Sequence, residues 1–187
     1  WKLSAKNSSK LQSYDYTGTL EATVNAKSGT KNIEKKTISD STSDQNTVLV
    51  QKNGILNIID STLKKTEDAT SDDNANFYGL DSVVLANGKK AVATVKNTKI
   101  NSNATGANGI FVTNNGTVNV KNTTIKTTGE ANSRGLDATY GGKINADKIK
   151  ISTNGDHSAA VATDRVGGVV KVNNSKITTK GSGSPLV

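Results

Sequence analysis

Residues 108–126 read NGIFVTNNGTVNVKNTTIK, and the unit that organises the chain runs through them from Gly109 to Ile125. A short apolar run, Ile110-Phe111-Val112, leads into the turn Asn114-Asn115-Gly116. An alternating run, Val118-Asn119-Val120, then passes through Asn122 and closes on Ile125. Alternation at period two marks a β-strand, and Asn-Gly marks a turn between strands. The layout returns as Leu136-Asp137-Ala138, Gly141-Gly142, Ile144-Asn145-Ala146 and Ile151. It returns again as Ala160-Val161-Ala162, Gly167-Gly168, Val170-Lys171-Val172, Asn174 and Ile177.

Working outward, the first strand of each unit is expected to begin at Leu20, Val48, Leu80, Ile110, Leu136 and Ala160, with a further start near Leu186. The closing residues Ile38, Leu63, Ile100, Ile125, Ile151 and Ile177 are 25, 37, 25, 26 and 26 residues apart. A period near 25 belongs to solenoids. The units are rich in Thr, Asn, Gly and Val, which disfavour helices and suit strands and turns. The recurrent leucines of leucine-rich repeats are missing. The expected fold is therefore all-β, a single-stranded right-handed parallel β-helix of about six coils. Ile33, Ile58, Val95, Val120, Ala146 and Val172 should stack as one inward column, and Leu56, Ala93, Val118, Ile144 and Val170 as a second. Between them lie Asn32, Asn57, Thr94, Asn119, Asn145 and Lys171, all polar and pointing out.

Composition agrees. Of 187 residues only 33% are hydrophobic and mean hydropathy is −0.50, too polar for an ordinary enzyme core. The regular apolar spacing argues against disorder. There is no Cys, so disulfides and thiolate metal sites are excluded. No apolar run approaches the roughly 18 residues of a membrane-spanning helix, and no membrane insertion is expected. The net charge of +8 and a pI near 9.6 favour anionic partners.

Residues 1–19 do not match the repeat; Trp1, Leu3, Leu11, Tyr14 and Tyr16 suggest an N-terminal cap on a β-helix spanning 20–187. An inserted loop at 64–79 accounts for the 37-residue interval, its end set by the likeness of Ala75–Asp81 to Ala131–Asp137. The chain opens at Trp1 without Met or a signal-peptide pattern and ends at Ser184-Pro185-Leu186-Val187, where another coil is expected to begin. It reads as a trimmed fragment, monomeric in isolation.

Three groups of side chains could carry function. Aligning coils puts Lys96 and Lys121 in one outward column and Lys99, Lys150 and Lys176 in another, with Lys126, Lys148 and Lys171 nearby. At about 4.8 Å per coil these form a basic stripe, suited either to a polyanion or simply to keeping a long sheet soluble. The acidic loop residues Glu67, Asp68, Asp72 and Asp73, with Asn74, offer oxygen ligands that suit Ca²⁺, although the EF-hand spacing is not met and a solvated loop is the simpler reading. Phe111, placed outward between Asp81 and Asp137, offers a sugar platform together with Tyr78, or else packs against the long loop. Asp81 and Asp137, two coils apart, would lie about 9.6 Å apart, close to the inverting-glycosidase range of about 6.5–9.5 Å. His157 sits alone in a turn, and no Ser-His-Asp arrangement or phosphate loop can be assembled.

The coil pattern N-G-T-V-N-V-K-N-T-T-I and the closing Gly-Ser-Pro-Leu-Val resemble bacterial β-helix proteins of the pectate-lyase-like superfamily. Among these are the calcium-containing carbohydrate-binding β-helix proteins and surface adhesins of Gram-positive bacteria. The resemblance covers about Leu20 to Val187. It implies an extracellular, cell-surface module that binds acidic polysaccharide or host glycan, sometimes with calcium. The lyase segment R-x-P-x-x-R is missing, and so are the Asp-Asp and Gly-His-Gly signatures of polygalacturonases. The expectation is a non-catalytic adhesin or carbohydrate-binding module without an obligatory cofactor. A lyase or hydrolase and a purely structural stalk are the alternatives. Exposed, regularly spaced aromatics are absent, so nucleic acid is not an expected partner.

Overall fold

The computed structural model describes residues 1–4 and 13–187, which wind into a parallel β-helix of about six turns some 26 residues apart. The strands begin with β1 (Lys2–Ser4), β2 (Ala22–Glu34), β3 (Thr37–Asp40), β4 (Asn46–Ile59) and β5 (Thr62–Lys65). They continue with β6 (Val84–Asn87), β7 (Val92–Lys96), β8 (Lys99–Ser102), β9 (Ile110–Thr113), β10 (Thr117–Lys121) and β11 (Thr124–Thr127). The last are β12 (Leu136–Ala138), β13 (Lys143–Asp147), β14 (Lys150–Thr153), β15 (Val161–Thr163), β16 (Val169–Asn173) and β17 (Lys176–Thr179). They stack in three parallel ladders. The first holds β6, β9, β12 and β15, the second β7, β10, β13 and β16, and the third β3, β5, β8, β11, β14 and β17. The long strand β4 pairs with both β6 and β7, joining the first two ladders into one 11-stranded sheet.

The inward columns stand in the expected register. Ile33, Ile58, Val95, Val120, Ala146 and Val172 pair in sequence, as do Leu56, Ala93, Val118, Ile144 and Val170. Ile38, Leu63, Ile100, Ile125, Ile151 and Ile177 pair likewise along the third ladder. Val120 and Val172 are each only 2% exposed, and the columns merge into one continuous core. Outside, Asn57 donates to the Asn32 side chain at 2.9 Å and Asn145 to Asn119 at 2.9 Å, so the polar column is itself a partial ladder.

The turn between the second and third ladders repeats a single device. Lys35, Asp60, Asn97, Asn122, Lys148 and Asn174 all adopt left-handed backbone, with φ of 51°, 51°, 51°, 48°, 53° and 50°. Asn and Asp tolerate this region best because their short polar chains bond locally. The next residue is Ser61, Thr98, Thr123 or Ser175 in four of the coils, and its hydroxyl donates to the carbonyl two residues back, at 2.7, 2.9, 2.9 and 2.6 Å. That bond closes the corner, and three of these hydroxyls also accept a backbone N–H from the preceding coil: Ser61 from Lys36, Thr123 from Thr98 and Ser175 from Ile149.

The first ladder departs from the sequence reading. Val24, Val48, Val84, Ile110, Leu136 and Val161 share one row of the ladder, so its register does not run through Leu20, Leu80 or Ala160. The largest slip concerns Leu80. Likeness to Leu136-Asp137 suggested equivalence, but Leu80 and Asp81 lie in a turn, Asp81 having φ 68°, and the ladder resumes at Val84. The chain between β5 and β6 contains one π-helical turn, Asn74–Tyr78, ended by Gly79 at φ 79°. A side chain at Gly79 would run into the Phe111 ring, so position and conformation both require glycine.

This excursion covers the outer face of the first ladder. Leu49, Leu85 and Phe111, in outward positions, are fully buried in a second cluster with Leu20 and Leu80, against which Tyr16, Ala22 and Tyr78 pack. The described part of residues 1–19 sits on the flank and far end of the stack. β1 pairs antiparallel with β16, and the Trp1 amino group donates to the Val172 carbonyl at 3.1 Å. Leu11 lies outside the described residues.

Candidate functional site

The six-stranded third ladder presents an outer face of uniform sign. Alternation sends one side of each strand to the core and leaves two positions per coil outside. Those positions hold Thr37 and Ser39, Thr62 and Lys64, Lys99 and Asn101, Thr124 and Lys126, Lys150 and Ser152, and Lys176 and Thr178. Five are lysine and none is acidic. Lys150 and Lys176 are direct neighbours, while Thr124 separates Lys150 from Lys99. Lys64 and Lys126 flank Asn101, and with Thr66, Asn103 and Thr128 they line an open cleft of about 380 Å³. A second shallow cleft, about 550 Å³, runs past Lys148, Lys150 and Lys176 beside Asn122 and Asn174.

Lys96 and Lys121 pair side by side at the end of the second ladder, as the column alignment required. The next residue in that column is Asp147, whose carboxylate lies 3.4 Å from the Lys121 ammonium. The Asn174 side-chain amide and Lys121 together hold the Asp147 carboxyl below its usual pKa. The stripe is thus partly neutralised at Lys121 and unbroken by acids on the third ladder.

The other sequence-derived residues are disposed differently. Phe111 is not an exposed platform: it is 0% exposed beneath the excursion. Asp81 and Asp137 do not face one another across Phe111, because Leu85, not Asp81, occupies that column. Each carboxylate is buried in its own ion pair. Asp137 meets the Arg134 guanidinium, which also reaches Asp164 at 3.6 Å, and burial, offset by Arg134, pushes its pKa up to about 6. Asp81 lies 2.9 Å from the Lys65 ammonium, and burial, offset by Lys65, raises its pKa to about 7. A carboxylate sealed in this way has no access to a glycosidic oxygen.

Tyr78 is half-buried and belongs to an assembly that sequence spacing did not show. Its ring stacks on Tyr140 at 5.8 Å and 4°, with Tyr14 edge-on to both at 5.5 Å and Tyr16 tilted against it at 5.2 Å. The Tyr78 hydroxyl donates to Asp15, and that bond, with partial burial, raises its pKa. The guanidinium of Arg165 lies 3.7 Å over the Phe77 ring, pinning the π-helical turn to the scaffold. Asp68, Asp72 and Asp73 are exposed, and the Asp68 carboxylate accepts the Thr105 N–H at 2.7 Å. Among the described residues no group of three or more His, Asp or Glu side chains is placed to hold a metal ion.

Sequence reasoning also missed a buried polar column. Asp40, Lys65, Ser102, Thr127 and Thr153 form a polar column inside the third ladder. Its signal was available: each lies two residues after a closing Ile or Leu, and period two must send it inward with that residue.

The chain matches no protein-family model, no curated protein and no solved structure.

Proposed function

We propose that this β-helix is a non-catalytic, cell-surface binding module for acidic polysaccharide, of the kind the pectate-lyase-like resemblance implies. The polyanion lies along the third ladder. The observation that carries the reading is the outer face of β5, β8, β11, β14 and β17, where Lys64, Lys99, Lys126, Lys150 and Lys176 stand without an intervening carboxylate. Strand spacing sets these charges at multiples of about 4.8 Å along a rigid wall, commensurate with a chain of regularly repeating acidic sugars. Threonine, serine and asparagine between them supply hydroxyl and amide groups for sugar oxygens. The burial of Asp81 and Asp137 in ion pairs supports binding over hydrolysis.

Titration calorimetry with polygalacturonate, and with uncharged dextran as control, tests this. Binding should be specific to the polyanion and weaken as salt rises through the range where the Debye length falls from about 10 Å to about 3 Å. Exposed ion pairs contribute about 0.2–1 kcal/mol each, so Lys150→Ala with Lys176→Ala should weaken binding by about two- to thirty-fold. No binding to any uronate-rich or sulfated glycan at low salt, or binding indifferent to salt, would overturn the reading. Release of sugar over long incubation would replace it with an enzymatic one.

A further inference from the structure

Lys65 is an unusual occupant of a β-helix interior. Its side chain is 0% exposed, with the ammonium 2.9 Å from Asp40 Oδ1 and 2.9 Å from Asp81 Oδ1, whose side chains are 2% and 0% exposed. It also donates to the Thr42 carbonyl. The two carboxylates are held differently. Asp40 is fully engaged: Oδ1 accepts the Thr42 N–H at 2.9 Å and Oδ2 accepts the Thr23 hydroxyl at 2.7 Å. Asp81 accepts the Asp44 N–H on Oδ1 at 2.9 Å, while its buried Oδ2 has no partner among the described residues.

We propose that Lys65 and Asp81 are joined by a side-chain amide that the chain forms by itself at this site. Asp40, 2.9 Å from the ammonium, takes one proton from it. The freed amine attacks Cγ of the Asp81 carboxylic acid, the C–O bond to the unpartnered Oδ2 breaks, and that oxygen leaves as water with a second amine proton. Ammonium and carboxylic acid thus become amide and water, with one proton left on Asp40 and no oxidant required. The raised pKa of Asp81 keeps a share of it protonated, the state from which hydroxyl can leave. Fixing amine and acyl group in contact supplies the proximity that makes intramolecular acyl transfer fast. Burial supplies the direction: hydrolysis needs water at a site that excludes it, and the neutral amide replaces charges whose desolvation an ion pair offsets poorly. The bond would tie β5 to the turn before β6, closing the base of the excursion.

The intact mass of the denatured wild-type chain decides the matter without any variant. The expected mass is one water below that of the sequence, with digestion yielding a branched peptide that joins the Lys65 segment to the Asp81 segment. Lys65→Arg, which keeps the charge but cannot form the amide, should return to its full sequence mass, and Asp81→Ala likewise. A wild-type chain of full sequence mass, or a branch point at any residue other than Asp81, overturns the proposal.

Discussion

Replacing Phe111 by alanine separates two roles for this ring. A sugar platform would leave the fold intact and abolish binding; a ring clamped under the excursion would do the reverse. Phe111 is 0% exposed and packs with Leu20, Leu49, Leu80 and Leu85. A buried phenylalanine removes about 150–250 Å² from water, which at about 25 cal/mol/Å² is an upper limit of about 4–6 kcal/mol. Because alanine retains Cβ and the cover can partly collapse, the expected loss is about 3–5 kcal/mol. With a urea dependence of about 2 kcal/mol/M, the unfolding midpoint should fall by about 1.5–2.5 M. Phe111→Leu should cost roughly a third as much, since volume is largely kept. Limited proteolysis should show new cleavage in the excursion, which loses its anchor before the coils do. Affinity for polygalacturonate, measured where both proteins are folded, should not change. A midpoint shift below about 0.5 M together with lost affinity would refute the packing argument and restore the platform.

Asp137 should invert the usual pH trend. The unfolded chain releases this proton near 3.8 and the fold near about 6, so stability falls as pH rises through that window, by about 3 kcal/mol in all. Urea midpoints at both ends of the window should show Asp137→Asn losing that slope; an unchanged slope would mean the carboxylate is not buried. Ile125→Ala, in a central coil and 0% exposed, should cost about 2–5 kcal/mol, whereas Ile177→Ala in the last, half-buried position should cost about 1. Equal losses in thermal unfolding would contradict the stacked-column account. Lys148 holds φ 53° where neighbouring coils use Asn122 and Asn174, so Lys148→Asn should stabilise by about 0.5–1 kcal/mol in the same assay. A loss of stability there would show that the lysine stem contributes packing that the turn geometry does not reveal.

The linear order of residues was enough to establish the coil, its period, two inward columns with the closing residues that mark each coil, and the lysine alignment. All of these follow from alternation at period two and from repetition, both properties of the chain itself. Lys150 and Lys176 could be placed together because every residue between them belongs to a coil of known length. The excursion between β5 and β6 broke that logic. No periodicity fixes where an irregular segment ends, so a likeness in composition set Asp81 against Asp137, and the hydrogen-bonded ladder put Leu85 there instead. Whether an outward position meets water was also beyond the sequence. Phe111 points away from the tube as alternation demands, yet a segment some thirty residues distant folds over it. The meeting of Tyr14, Tyr16, Tyr78 and Tyr140, and of Asp81 with the buried Lys65, has the same origin. Strand pairing is local and repetitive, and therefore written in the sequence; the covering of a sheet face and the convergence of side chains from different coils are decided only by the path of the folded chain.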